Sequence, residues 1–114
     1  MRPGQLEPND FELAILERIA LEHPSLRARL SKLHVLSREF TGVGSFTTFR
    51  VDQSVPEDSE HFGLSALISV PGVAHGLGAV LFCRSGHPSC LEIHAFGESL
   101  WDGVYAGFSI HTAV

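Results

Sequence analysis

The chain has 114 residues, the size of one ordinary domain, and 44% of them are hydrophobic, which is enough for a core without a stapling disulfide or metal. Charged residues make up only 18%, below the average of about 25% for soluble domains, so some apolar surface is expected to be covered by another chain. The formal net charge is −5 and the eight basic residues are scattered, which predicts no nucleic-acid partner and no contact with an anionic membrane, because phosphate binding requires clustered Lys and Arg.

The N-terminal residues and the lengths of the apolar runs favour a cytoplasmic location. No apolar run approaches the roughly 20 residues that a membrane helix needs. Residues 1–8 contain two prolines and a glycine and lack the apolar centre of a signal peptide, so we expect an irregular tail ahead of a single domain over residues 9–114. Because disulfides are rare in the cytoplasm, Cys83 and Cys90 are predicted to be free thiols.

Helical signals dominate the first third of the chain. Asn9 followed by Glu12 has the spacing of a capping box, in which each side chain bonds the backbone amide of the other residue. Apolar residues then recur at helical spacing as far as Pro24, which ends the first helix and can open a second. The pattern predicts a helical hairpin or a kinked helix from about Asn9 to Leu33.

After Leu33 the hydrophobic period changes to two, which is typical of strands. The predicted strands are His34–Thr41, Ser45–Asp52, Leu64–Val70, two within Leu77–Phe96, and Val104–Thr112. The polar and acidic run Gln53–Phe62 is expected to be the longest loop. Because the helices come first and none follows a strand, we predict an α+β fold with the helices on one face of an antiparallel sheet of about five or six strands.

The segment Leu77–Phe96 indicates a hairpin about Ser85-Gly86-His87-Pro88, with two largely apolar faces. A short turn there pairs even-numbered positions of the first strand with odd-numbered positions of the second. One face is then predicted to carry Val80, Phe82, Leu91 and Ile93. The opposite face is predicted to carry Ala79, Leu81, Cys83, Cys90, Glu92, His94 and Phe96. We expect the first face to meet the helices and the second to meet another molecule.

The second face of the hairpin predicts a homodimer, since two-fold dimers are the commonest oligomers and a mixed apolar face suits an interface. The predicted interface residues are Leu81, Cys83, Cys90, Phe96 and Trp101. For Trp101 the alternative is a place in the core beside the last strand. Another protein could also occupy the face, or the long loop or the chain ends could fold over it. The predicted function is therefore a non-enzymatic interaction and protein-binding domain.

A second hypothesis starts from the polar row on the same face. Cys90, Glu92 and His94 alternate along one strand, and a carboxylate beside an imidazole can bind a small ligand, hold a metal or move a proton. Arg38 or Glu39 could assist, but they lie on opposite sides of their strand, so only one can reach the row. The alternative function is thus a small ligand-binding protein or enzyme that uses Glu92, His94 and Arg38, with or without a bound metal.

Cys83, His87, Cys90 and His94 are residue types that bind zinc. Their spacing fits no zinc module, and His87 at the turn is several residues along the strand from His94. The sequence therefore predicts neither a metal site nor a cofactor.

The run Ser37-Arg38-Glu39-Phe40-Thr41-Gly42-Val43-Gly44, with the later run His75-Gly76-Leu77-Gly78-Ala79-Val80-Leu81-Phe82 and then Leu91-Glu92, resembles a family of small uncharacterised bacterial proteins. The resemblance covers roughly residues 10 to 103. It implies a bacterial cytoplasmic protein and brings no catalytic residue with it. The relatives favour an acidic or glycine turn where this chain has Ser85-Gly86-His87-Pro88, which weakens the zinc hypothesis further.

Overall fold

The computed structural model describes residues 7–112, and its first helix begins at the capping box that the sequence predicts. The Asn9 side chain accepts from the Glu12 amide at 2.8 Å, and the Glu12 carboxylate accepts from the Asn9 amide at 2.9 Å. Helix α1 spans Asp10–Glu22, a 3-10 turn spans Pro24–Leu26, and helix α2 spans Arg27–Leu30. The predicted helical pair is confirmed. Of the predicted tail, residues 1–6 lie outside the described residues.

From Val35 to Thr112, the described residues form one antiparallel sheet of seven strands joined by loops. The strands are β1 (Val35–Phe40), β2 (Gly44–Phe49), β3 (Ser59–Gly63), β4 (Ala66–Ser69), β5 (Leu77–Arg84), β6 (His87–Ala95) and β7 (Ser109–Thr112). They lie in the order β1-β2-β6-β5-β4-β7, and β3 also pairs with β5. The predicted α+β class with an antiparallel sheet is confirmed. Within residues 7–112, no helix is both long enough and apolar enough to cross a membrane.

The strand that the sequence did not predict is β3, which lies largely inside the expected loop Gln53–Phe62. It pairs with β5 from Ser59 opposite Arg84 to Gly63 opposite Val80. Phe62 alone among its side chains is partly buried against the core. β3 is held by its pairing with the free edge of β5, so it does not need alternating apolar side chains. Its sequence therefore carries no alternation that would predict a strand.

The core lies between α1 and the central strands. On the helix side the buried residues are Phe11, Ile15, Leu16, Ile19, Ala20, Leu26 and Leu30. On the sheet side they include Leu77, Ala79, Leu81, Leu91 and Ile93. Full burial of one such large apolar side chain contributes about 1.5–3 kcal/mol, so this contact is the main stabilising term of the fold. We call this side of the sheet the covered face.

The β5–β6 hairpin has a different register from the predicted one because of a β-bulge. Ser85 and Gly86 form a two-residue turn with φ of 49° and 80°, and Cys83 pairs with Pro88 as the short turn requires. The register then shifts, and Phe82 pairs with Cys90. Ser89 is the extra residue, and its hydroxyl donates to the Phe82 carbonyl at 3.0 Å.

The shift of one residue reverses the face of every later side chain of β6 relative to β5. Ala79 now lies opposite Ile93, and Leu81 lies opposite Leu91, all on the covered face. The predicted grouping of Val80 and Phe82 with the Leu91 side was therefore wrong. Cys90, Glu92 and His94 share their face with Val80 and Phe82 instead.

A buried carboxylate ties the start of α1 to the sheet. Glu12 is only 3% exposed, and its two oxygens accept from Arg38 Nη2 at 2.7 Å and Arg38 Nε at 2.8 Å. The Thr47 hydroxyl donates to the same carboxylate at 2.8 Å. Burial alone would raise the pKa of Glu12, but hydrogen bonds from Arg38, Asn9 and Thr47 and the Arg38 charge outweigh burial and lower it. Glu12 is therefore held as a carboxylate.

We expect Glu12→Gln to lower the free energy of unfolding by about 2–4 kcal/mol, because it leaves the half-buried Arg38 guanidinium without its counter-charge. Urea unfolding measures the change. Glu17→Gln is the matched control, since Glu17 is exposed on the same helix, and its effect should stay within about 0.5 kcal/mol. Equal losses in the two variants would contradict the role of Glu12.

The same pair predicts a pH dependence. Because the pKa of Glu12 in the folded state lies below its ordinary value of 4.5, its contribution to stability is complete above that value. As the pH falls through the lower folded-state pKa, the carboxylate is protonated and the contribution is lost. The difference in unfolding free energy between the wild type and Glu12→Gln should therefore shrink in acid. A difference that grows as the pH falls would refute the assignment.

Candidate functional site

The sheet face opposite the helices is the candidate functional site, and we call it the open face. Its central side chains are Phe46, Thr48, Val80, Phe82, Cys90, Glu92 and His94, which alternate with core residues along β2, β5 and β6. Phe46, Phe82 and Phe96 are 36%, 39% and 41% exposed. Large exposed aromatic side chains on one face are typical of a surface that meets another molecule.

Two histidine–phenylalanine pairs lie on the open face. The rings of His94 and Phe96 meet edge to face with centroids 5.1 Å apart, and those of His61 and Phe82 lie 6.2 Å apart. Gly78 makes room for the first pair, because a Cβ there would lie 2.5 Å from Phe96 Cζ and 2.8 Å from His94 Nε2. The two rings thus lie close to the β5 backbone at Gly78.

The polar row predicted from the sequence exists, but without its predicted helper. Cys90, Glu92 and His94 are half-buried on the open face, as their alternation requires. Arg38 lies on the covered face, where it binds Glu12, so it does not join the predicted ligand-binding set. Glu39 is the neighbour that faces the open side, beside Phe46.

The row lies outside the well-formed cavities described for residues 7–112. Neither Glu92 nor His94 is among the residues that line four of these cavities. The described residues also contain no group of three or more His, Cys, Asp or Glu side chains placed to hold a metal ion. Cys83 and Cys90 are free and lie on opposite faces of the sheet, so they do not share a site.

The predicted interface residues divide between the two faces. Cys90 and Phe96 lie on the open face, whereas Leu81, Cys83 and Trp101 are buried in the core. Trp101 packs near Phe11, and its indole N–H donates to the Val104 carbonyl at 2.9 Å. These three side chains therefore present no surface to a partner, and Leu81 and Cys83 are buried because of the bulge at Ser89. Phe46 and Phe82 are the large apolar side chains exposed on the open face instead.

A cluster of basic residues is the feature that sequence reasoning missed. Arg29, Lys32, Arg50 and His87 line one cavity of about 300 Å³ between α2 and the β2 and β6 ends. In the sequence these residues belong to three separated segments and carry no shared motif. The pairing of β2 with β6 and the packing of α2 beside them bring these residues together, so no sequence signal could have found them.

The chain matches no family model, no curated protein and no solved structure. The resemblance to small bacterial proteins therefore stays a prediction.

The two thiols should differ sharply in reactivity. Burial and, to a smaller extent, the Glu60 charge raise the pKa of the Cys83 thiol to about 11, against the opposing charge of Arg29. Burial and the Glu92 charge also raise the pKa of Cys90, against a hydrogen bond with Thr48, but this side chain is half exposed. We expect a thiol-specific reagent to modify only Cys90 in dilute folded protein, because nucleophilic attack needs an accessible thiolate.

Single variants assign that reaction to its thiol. Cys90→Ser should abolish it in the folded protein, and Cys83→Ser should leave it intact. Cys83 should react only when the protein is unfolded in denaturant. A fast reaction of Cys83 in the folded protein would show that the hairpin register is different.

Proposed function

We propose that the protein is a non-enzymatic interaction domain that forms a homodimer through its open face. The observation that carries this proposal is the exposure of Phe46, Phe82 and Phe96 on the sheet face opposite the helices. Burial of apolar area is worth about 25 cal/mol per Å², so three partly exposed rings at the centre of a contact offset part of the cost of association.

The size of the open face suits a dimer. Six strands lie side by side, and at about 4.8 Å between strands they span roughly 29 Å. Their average length of about six residues corresponds to roughly 20 Å. The open face of each copy therefore has an area of roughly 600 Å². Each partner contributes about this area to a stable interface of about 1,200 Å² in total.

Two-fold symmetry brings a carboxylate and an imidazole to the same edge of the contact. Glu39 lies at the β1 edge of the open face, whereas His111 lies at the β7 edge. A two-fold axis between the faces and parallel to β5 and β6 places the β1 edge of one copy over the β7 edge of the other. Glu39 of each copy then lies along the same edge as His111 of the second copy, where the carboxylate can accept from the imidazole N–H, and this supports a second copy of this chain as the occupant.

The two central strands meet under the same axis. It places β6 of one copy over β5 of the other, so Glu92 and His94 of each copy lie over the strand that carries Val80 and Phe82 in the second copy. Glu92 and His94 act in this proposal as contact residues and not as a catalytic pair.

Sedimentation velocity over a range of concentrations tests the dimer. The wild type should associate at micromolar concentration, and Phe82→Glu or Phe46→Glu should remain monomeric because either variant places a charge in the apolar centre. Leu21→Glu is the matched control, since Leu21 is a large apolar residue 62% exposed on α1, away from the open face. This control should associate like the wild type. A monomeric wild type at the same concentrations would refute the proposal.

Chemical labelling locates the contact on the molecule. Because Cys90 lies on the open face, its modification rate should fall as the wild type associates, whereas its rate in Phe82→Glu should not depend on concentration. Association without protection of Cys90 would place the contact elsewhere, and binding of a different protein to the open face without self-association would replace the proposed occupant.

A further inference from the structure

One cavity is unusually basic for an acidic chain. It lies on the helix side of the sheet, beside the end of β2 and the start of β6. Its lining consists of Arg29, Lys32, Leu33, Arg50, His87 and Pro88. Three of the eight lysine and arginine residues of a chain with net charge −5 therefore meet at one place, together with an imidazole. No carboxylate lines this cavity.

The positive charges of this cavity are not neutralised within the described part of the chain. The ion pair of residues 7–112 joins Arg38 to Glu12, which lies elsewhere, and the side chains of Lys32 and Arg50 have no hydrogen bond or ion pair there. Two acidic groups lie near His87 but do not line the cavity: the Asp52 charge interacts with His87 and Arg84, and Glu60 accepts from the Gly86 amide at 2.7 Å. Asp52 is held in its own turn. Its carboxylate accepts from the Ser54 amide at 2.8 Å, outside the cavity lining.

Arg29 contacts the face of the His87 imidazole ring and leaves the edge of that ring free. Its Nη1 atom lies 2.9 Å from Nδ1 and 3.0 Å from Nε2 of the same imidazole. In the ring plane a C–H group separates these two nitrogens, so a single atom close to both must lie over the ring face. The contact is thus a stacked one, and the in-plane positions of both ring nitrogens are not used by Arg29.

We propose that this cavity binds the phosphate group of a small phosphorylated molecule. Arginine presents a planar set of donors that matches phosphate oxygens, and lysine adds a compact charge. Arg29 and Arg50 would donate to the phosphate oxygens through their planar guanidinium groups. Lys32 would add its compact charge, and His87 would be a further donor. Leu33 and Pro88 form an apolar wall against which a short carbon skeleton can pack.

The dimensions of the cavity restrict the ligand. A volume of about 300 Å³ lies at the lower end of the range for small-molecule sites, about 300–1,000 Å³. A polynucleotide needs an extended basic stripe along its backbone, whereas here the charges surround one compact space. Inorganic phosphate or a small phosphate monoester fits these limits. The site is on the helix side, so it does not depend on the open-face dimer.

Calorimetric titration of the full chain with inorganic phosphate and with glycerol 3-phosphate tests the proposal, using sodium chloride at matched ionic strength as the reference. We expect saturable binding by the wild type. Lys32→Gln and Arg50→Gln should each weaken it by about tenfold, because each removes a charge-assisted contact. Arg27→Gln is the matched control, since Arg27 is an exposed arginine of α2 outside the cavity lining, and its affinity should stay within about twofold of the wild type.

The relative affinities of the two probes distinguish the possible ligands, and other results would overturn the proposal. Tighter binding of glycerol 3-phosphate would identify a phosphate monoester, and equal affinities would identify the free anion. No saturable heat with either probe would overturn the proposal, as would an equal loss in Arg27→Gln and Arg50→Gln. Circular dichroism checks that each variant is folded, which is expected because Lys32, Arg50 and Arg27 are all exposed.

Discussion

The buried carboxylate of Glu12 connects the helical layer to the sheet. It completes the capping box of α1 and accepts from Arg38 on β1 and Thr47 on β2, while Arg38 also donates to the Glu7 carbonyl at 2.9 Å. A buried charge is tolerated only where its hydrogen bonds are satisfied, so α1 has few alternative positions on the sheet. The orientation of α1 then decides which sheet face is covered.

The two candidate sites are consequences of that arrangement. The molecule is thin, with principal extents of 42 × 38 × 21 Å, as expected for one helical layer on one sheet. One sheet face is left to the solvent with three partly exposed phenylalanines, and the short helix α2 forms the wall of the basic cavity on the other side. The proposed self-association surface and the proposed anion site therefore lie on opposite sides of the same small domain.

The hairpin shows where prediction from the sequence succeeds and where it fails. The strands and the turn at Ser85-Gly86 follow from composition and alternation, and they are present as predicted. The bulge at Ser89 does not follow, because it depends on a hydrogen bond to Phe82 across the ladder. That one extra residue moved Leu81 and Cys83 into the core and left Phe82 on the open face, which changed the predicted interface more than any other feature.

The sequence by itself determined the helical pair, its capping box and the α+β class. These features depend on residues within a few positions of each other, where side-chain spacing and local hydrogen bonding act directly. Tertiary structure alone decided which strand faces share a side, and it placed Arg50 beside Arg29 and His87. Such placements depend on how distant strands pair, because the register of a ladder and not the local pattern sets which side chains meet.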